Sequence, residues 1–191
     1  MTALTEARVA RAFEVPTLLG TQLLFNVGFY AVVPFIAVVL TDDFGLAAVS
    51  VGFVLGARTF AQQGMFLAGG ALADRFGARP IILAGCAIRI VGFGALAGSL
   101  WTASPQFWLF VVGTVLTGVG GALFSPALST LVAAAERNRS AQHPDAPPRA
   151  SLFAWLAVTG EIGAVLGPLA GAALFGGDSL RSRLRAPASS R

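Results

Sequence analysis

Four polar side chains and one carboxylate interrupt apolar stretches that otherwise hold few groups able to bind a solute or carry a proton. Asn26 and Tyr30 stand four residues apart, as do Arg58 and Gln62, and Glu161 is the only carboxylate within any of these stretches. Helical residues four apart lie on one face, so each pair predicts a polar patch. Together the patches predict the lining of a central cavity for a substrate or a proton.

Charged groups in the middle of apolar stretches must face protein or water. Arg58, Arg89 and Glu161 occupy such positions, where an ionised side chain costs about 3 kcal/mol on insertion scales. We expect Glu161 to be buried, either as a proton-carrying group, because a buried carboxylate beside an arginine suits that task, or in an ion pair with Arg58 or Arg89. For Arg58 there are two alternatives: it contacts the substrate or lies on the proton pathway, or it has a structural role and holds helices together.

A second polar feature is the short segment GGALADRFGARP, residues 69–80. Gly77 can adopt a positive φ at little cost, and Pro80 suits the first turn of a new helix, so the segment predicts a tight turn between two helices. Arg75 and Arg79 suit the negative C-terminal end of the first helix. Asp74 does not, and therefore predicts a partner elsewhere, either a helix N-terminus or an arginine.

A third feature is a glycine repeat in the last apolar stretch. Gly163, Gly167 and Gly171 recur every four residues and predict a groove that admits another helix backbone. Pro168 removes a helix hydrogen bond and predicts a bend.

The elements that carry these residues follow from composition. The 191 residues have a mean hydropathy of +0.76 and only 12% charged side chains, which indicates a membrane protein. Each long apolar stretch meets the requirement of about 20 residues for a membrane-crossing helix, and no alternating pattern of barrel strands is present. The predicted fold is an all-α, polytopic bundle of five transmembrane helices over 16–40, 46–73, 80–101, 106–135 and 151–176.

Around this bundle we expect an N-terminal segment over residues 1–15 and a polar, arginine-rich tail over 177–191. Three connections are short, and residues 136–150 predict a longer polar loop. Seven arginines fall in the N-terminal segment and in alternate connections, and none in the other two turns. This asymmetry predicts a cell-membrane protein with a cytoplasmic N-terminus. The seven are Arg8, Arg11, Arg75, Arg79, Arg137, Arg139 and Arg149.

The pattern G-x-x-x-D-R-x-G-x-R between the second and third helices resembles the signature loop of the major facilitator superfamily of secondary transporters. The matching residues are Gly70, Asp74, Arg75, Gly77 and Arg79, and Ala78 departs from the basic residue usual in the family. The resemblance implies the N-terminal half of that fold, with Asp74 bound to the start of a helix in the second half, latching the outward-facing state. The alternative is an ordinary charged turn.

The fifth stretch resembles the G-x-x-x-G-P-x-x-G-G motif of the drug/proton antiporter branch at Gly163, Gly167, Pro168 and Gly171, with Ala172 replacing the last glycine. The alternative is a packing face of small residues. An arginine that many such antiporters carry in the fourth helix is replaced by Thr114, so its coupling role does not transfer. The third helix is peripheral in that fold, which favours a structural role for Arg89.

The sequence predicts no enzyme, cofactor, metal site or nucleic-acid partner, since it has one histidine, one cysteine and no G-x-x-x-x-G-K phosphate loop.

The expected function is proton-coupled efflux of small molecules or drugs by a transporter completed by a second half. The alternative is a non-transporting membrane fragment or a bundle that associates with another chain. The tail after Gly177 suggests an incomplete chain, such as a frameshifted product; the alternative is a native extension with a different topology. The expected surroundings are the lipid bilayer, with substrate and protons as partners of the completed transporter.

Overall fold

A computed structural model describes residues 15–101, 104–142 and 151–185 of the chain, with Gln142 and residues 174–185 described by their backbone alone. Within these ranges every regular element is an α-helix. The helices are α1 (Val15–Asp42), α2 (Ala48–Gly64), α3 (Phe66–Phe76), α4 (Ala78–Leu100), α5 (Phe107–Gln142) and α6 (Leu152–Arg185).

The helices confirm the expected all-α membrane bundle, with one difference in the second crossing. In the described chain, α1, α4, α5 and α6 are each long and apolar enough to span a membrane, whereas α2 and α3, with 17 and 11 residues, share one crossing. They are divided at Met65, whose φ of −87° and ψ of −1° depart from helical values. Gly64 precedes this residue, and the poor helix propensity of glycine explains the position of the break.

Two helices extend beyond the ends predicted for them. Helix α5 continues into the segment predicted as a loop over 136–150, to Gln142, and the tail predicted from 177 is helical to Arg185. Alanine, glutamate, arginine and leucine are good helix formers, and no proline occurs between Glu136 and Pro144 or between Gly177 and Pro187. Residues 1–14, 143–150 and 186–191, with Arg8, Arg11 and Arg149, lie outside the described residues.

Helix α5 is the centre of the bundle, because it contacts all five other helices. Its membrane-spanning window is 56% buried, against 17% for that of α6. The main partner of α1 is α6, while α2, α3 and α4 pack on α5. The bundle therefore consists of an α1–α6 pair and an α2–α5 group.

Two apolar clusters mark opposite ends of the bundle. One joins α1 to α5 and the start of α6 through Leu18, Phe124, Leu128, Val132 and Leu152. The other joins the far end of α1 to α2, α4 and α5 through Ile36, Leu40, Val51, Val54, Leu96 and Phe110. Successive membrane crossings therefore run in opposite directions, as the short connections predict.

The outer surface of the bundle is apolar. Leu67 is 83% exposed and Phe60 is 79% exposed, an arrangement that water would oppose and lipid favours. Trp101 and Trp108 are exposed beside the turn between α4 and α5, where tryptophan suits the membrane–water interface. The chain is therefore a multi-pass membrane protein.

Candidate functional site

In the α2–α5 group, two arginines are buried and face the same aromatic ring. Arg58 is only 7% exposed, and its Nη2 donates a hydrogen bond of 3.2 Å to Oε1 of Gln62. Its guanidinium carbon lies 4.5 Å from the centre of the Phe29 ring. The predicted Arg58–Gln62 patch is therefore present, and it faces α1.

Arg89 reaches the same place from α4. It is 5% exposed, and its Nε and Nη2 donate to the Thr117 carbonyl at 3.3 and 3.2 Å. Its guanidinium carbon lies 3.7 Å from the centre of the Phe25 ring and 4.6 Å from that of Phe29, which are cation–π distances. Arg89 therefore points into the bundle and links three helices.

Glycines of α5 make room for both arginines. A Cβ at Gly118 would lie 2.5 Å from the carbonyl oxygen of Arg58, and one at Gly120 would lie 2.9 Å from the Cβ of Arg89. At Gly121 a Cβ would meet Nη2 of Arg89 at 2.8 Å. Any larger residue at these positions would displace a helix or a guanidinium. Arginines from α2 and α4 thus contact the α5 glycines.

Thr114, at the position where the resembled antiporters carry an arginine, is fully buried. Its hydroxyl donates to the Phe110 carbonyl at 2.9 Å. This bond satisfies the hydroxyl within its own helix, so Thr114 has a structural role in the described chain.

The expected ion pair between Glu161 and an arginine is absent, and the expectation that Glu161 is buried is wrong. Within the described ranges no carboxylate pairs with Arg58 or Arg89, and Arg58 Nε and Arg89 Nη1 are buried without a hydrogen-bond partner. The Glu161 side chain is exposed on α6. The reason is geometric, since α6 packs on α1 and turns its glycine face, rather than Glu161, toward the bundle.

Glu161 instead lines a polar pocket between α1 and α6. The pocket has a volume of about 290 Å³ and is lined by Gln22, Asn26, Tyr30, Phe153, Leu156, Ala157, Gly160 and Glu161. Asn26 donates to the Gly160 carbonyl at 3.4 Å. The structure thus brings Asn26, Tyr30 and Glu161 together, while Arg58 and Gln62 lie across α1. Tyr30 connects the two regions, because it lines the pocket and its ring lies 4.9 Å from that of Phe29, which Arg58 faces.

The glycine repeat of α6 packs on α1 at backbone distance. A Cβ at Gly163 would lie 2.6 Å from the Cβ of Asn26, and one at Gly171 would meet the Ala31 carbonyl and Phe35. At Gly167 it would meet Tyr30 and the Ala31 nitrogen. The predicted close approach is confirmed, and its partner is α1. Pro168 lies inside α6, and a bend there remains a prediction.

The loop between α3 and α4 has the predicted turn. Gly77 ends α3 with a φ of +91°, a conformation that favours glycine, and Pro80 lies in the first turn of α4. Arg75 occupies the last turn of α3. Asp74 and Arg79 are exposed, and within the described ranges the Asp74 carboxylate makes no hydrogen bond or ion pair. Its partner remains a prediction.

Several functional contacts escaped the sequence analysis. Gly69, rather than Gly70 of the motif, makes the close contact of this segment, because a Cβ there would meet the Ala122 carbonyl and lie 3.1 Å from Pro126. Gln22 completes the polar pocket, and Phe25 and Phe29 face the arginines. A periodic signal was available, because 22, 26 and 30, and 25 and 29, are each spaced by four residues.

The side chains of this region are suited to binding a solute. Among the described residues no group of three His, Cys, Asp or Glu side chains is placed to hold a metal ion. The available groups are two guanidiniums, three amides, a phenol and a carboxylate, arranged around α1 inside an apolar bundle. Such an arrangement can bind a polar or charged small molecule at membrane depth.

Known proteins with similar sequences agree with this description. An uncharacterized MFS-type transporter of Mycobacterium tuberculosis is 40% identical over 172 residues, covering 89% of this chain and 38% of the relative. The multidrug resistance protein MdtH of Photorhabdus laumondii is 36% identical over 166 residues, which cover 87% of this chain and 38% of that relative. MdtH of Escherichia coli is 38% identical over 158 residues, which cover 83% of this chain and 36% of that relative. The chain therefore spans under two fifths of their length.

No solved structure matches the chain. The family description "Major Facilitator Superfamily" matches residues 18–182, a range that includes the turn at Gly77, the buried arginines and the α6 glycines. With more than half of its length matched, the chain belongs to the Major Facilitator Superfamily.

Proposed function

We propose that this chain forms one bundle of a proton-coupled transporter that exports small molecules, drugs among them, and that it works with a second bundle. The observation that carries the proposal is the set of polar groups around α1, where Asn26, Tyr30 and Glu161 line a pocket on one side and buried Arg58 faces Phe29. Polar groups at membrane depth are costly and mark pathways for solutes or protons. The names of the MdtH relatives support export of drugs.

In this proposal Asn26, Tyr30, Arg58 and Gln62 contact the substrate, and Glu161 carries the proton. Glu161 suits that task because it is the only carboxylate within the apolar stretches and lines the polar pocket. A group that must exchange protons needs access to water, and the polar pocket that Glu161 lines offers a place for it.

The loop at 70–79 controls the conformational change. With the N-terminus cytoplasmic, as the arginine distribution predicts, Asp74 binds the start of a helix in the second bundle and latches the outward-facing state. Its exposed, unpartnered carboxylate in the described chain supports this role, because a carboxylate at the end of α3 is unfavourable without a partner. The α6 glycines hold α1 close and so shape the pocket.

The alternative is a non-transporting bundle that only associates with another chain. The same unpartnered Asp74 supports this alternative, as does the fact that the chain covers only 38% of the mycobacterial relative. Alternating access requires one bundle to move against another around a shared site. Both proposals therefore predict that residues 1–191 alone insert into membranes without transporting.

The test is reconstitution in proteoliposomes with an imposed pH gradient and a panel of cationic dyes and amphipathic drugs. The chain is assayed alone and together with the segment of the mycobacterial relative that it does not cover. We expect gradient-dependent, saturable movement only in the combined sample. Movement by the chain alone would contradict the one-bundle proposal, and its absence from the combined sample would favour the non-transporting alternative.

In the combined sample, Glu161→Gln should abolish proton-driven efflux and leave substrate binding intact, because the amide keeps the size of the side chain but takes up no proton. Asp43→Asn is the matched control, since Asp43 is exposed beyond the end of α1, and it should transport like the wild type. Loss of binding with retained proton coupling would show that Glu161 is structural.

A further inference from the structure

The two buried arginines form a region of positive charge without a counter-charge. Both guanidinium carbons lie within 4.6 Å of the centre of the Phe29 ring. They are therefore at most about 9 Å apart, a distance at which like charges in a poorly solvated interior repel each other. Within the described ranges no carboxylate lies beside either of them, so nothing in this part of the chain offsets the repulsion.

The hydrogen bonds of these arginines leave strong donors unused. Each guanidinium has five N–H donors, yet the bonds found go only to neutral oxygens, the Gln62 amide and the Thr117 carbonyl. Arg58 Nε and Arg89 Nη1 are buried and have no acceptor. Buried charges are normally paired, because an unpaired donor or charge retains its full desolvation penalty.

Arg89 and Gln62 meet at Gly121. A Cβ at this residue would lie 2.8 Å from Arg89 Nη2 and 3.5 Å from Gln62 Nε2, and Gln62 in turn accepts from Arg58. Gln62 therefore connects the two arginines at a point where α5 has no side chain. Tyr30 lines the 290 Å³ pocket between α1 and α6, and its ring lies 4.9 Å from that of Phe29, which both arginines face.

We propose that Arg58 and Arg89 bind the anionic group of the transported molecule, and that this group is the carboxylate of a small amphipathic compound. The planar guanidinium matches a carboxylate through paired N–H···O bonds. The apolar part of such a compound suits Phe25 and Phe29, which flank the arginines. This inference rests on the proposed transport function and names its substrate class.

The experiment measures binding and requires no transport. The full chain is placed in nanodiscs of uncharged phosphatidylcholine and titrated with dansyl-alanine, which has a free carboxylate, and with its methyl ester, which has the same body without the charge. We expect the acid to bind at least about tenfold more tightly than the ester. Equal affinities for the wild-type chain would overturn the proposal without any variant.

Arg58→Gln and Arg89→Gln should each reduce the preference for the acid to below about threefold. Arg137→Gln removes the same charge from an exposed position of α5 and should leave the preference unchanged. Helix content by circular dichroism shows whether each variant folds. If a glutamine variant does not fold, the corresponding lysine variant replaces it. Lysine keeps the charge but loses the planar pair of donors, so we expect a weakened preference for the acid over the ester. Preferences unchanged in the folded Arg58 and Arg89 variants would overturn the proposal.

Two further titrations show whether the anion at this site comes from another source. If nanodiscs containing phosphatidylglycerol abolish the preference, a lipid phosphate occupies the site and the proposal is wrong. If addition of the second bundle abolishes it, a carboxylate of that bundle occupies the site and the proposal is also wrong. Failure of transport with the acid preference intact would refute the proposed function alone, and transport without that preference would refute this inference alone.

Discussion

Replacing Gly167 by alanine tests whether α6 is held against α1 by direct backbone contact. The added Cβ would lie 2.9 Å from the Ala31 nitrogen and from the carbonyl carbon of Tyr30, and it would overlap the Tyr30 Cβ. Backbone atoms of a helix cannot rotate away as the end of a side chain can. The two helices must therefore separate to admit one methyl group.

The magnitude follows from two opposing effects. Alanine is favoured over glycine in a helix by about 1 kcal/mol, whereas forcing extra volume into a packed interface costs about 1–3 kcal/mol. The contacts at Gly167 involve backbone on both sides, so we take the upper part of this range. The free energy of unfolding should fall by about 1–2 kcal/mol, net of the gain in helix propensity.

The assay is unfolding of the full chain in mixed micelles by increasing fractions of sodium dodecyl sulfate, followed by circular dichroism. Gly28→Ala is the control, because a Cβ at Gly28 of α1 meets nothing within 4 Å. That variant should be unchanged or more stable by up to about 1 kcal/mol. If Gly167→Ala were as stable as Gly28→Ala, the close packing of α1 on α6 would be refuted.

Three further predictions concern single side chains. Asp74→Asn should lower transport by the two-bundle transporter while membrane insertion, measured by protease protection, stays intact, and wild-type transport would contradict the latch. Glu136→Ala should destabilise the chain by about 1–2 kcal/mol in the same unfolding assay, because the Glu136 carboxylate accepts a 2.7 Å hydrogen bond from the Leu152 nitrogen at the start of α6; an unchanged midpoint would show that this bond contributes nothing. Arg89→Met should leave stability equal or higher, because an apolar side chain removes an uncompensated buried charge. A loss above about 2 kcal/mol would assign Arg89 a structural role.

The sequence predicted the helices and their connections because these depend on local properties. Apolar length determined four of the membrane crossings, and the need for a positive φ identified the turn at Gly77. The α6 glycines were recognised as a packing face, and the structure adds that their partner is α1. Helix α5 extends to Gln142 because the polar residues from Glu136 onward, taken as a loop for their composition, favour helix.

The relation between side chains on different helices was harder to predict. Glu161 was expected beside Arg58 or Arg89 because each lies near the middle of its stretch, but depth in the membrane does not specify rotation about the helix axis. The rotation of α6 is determined by its glycines, which face α1 and leave Glu161 exposed. Arg89 was assigned to a peripheral helix, yet its long side chain reaches the bundle interior above Phe25.

The pairing of α1 with α6 also has a consequence for synthesis of the protein. Asn26 finds its acceptor at Gly160, 134 residues later in the chain, and translation at about 5–20 residues per second takes roughly 7–27 s to cover that distance. During this interval α1 must persist in the membrane, or in the insertion machinery, without its principal neighbour. Its 28 residues have a mean hydropathy of 2.3 in their most apolar window, enough for α1 to remain as an independent helix until α6 arrives. Helix α1 therefore enters the membrane before α2–α5 and gains its principal contacts only when α6 arrives.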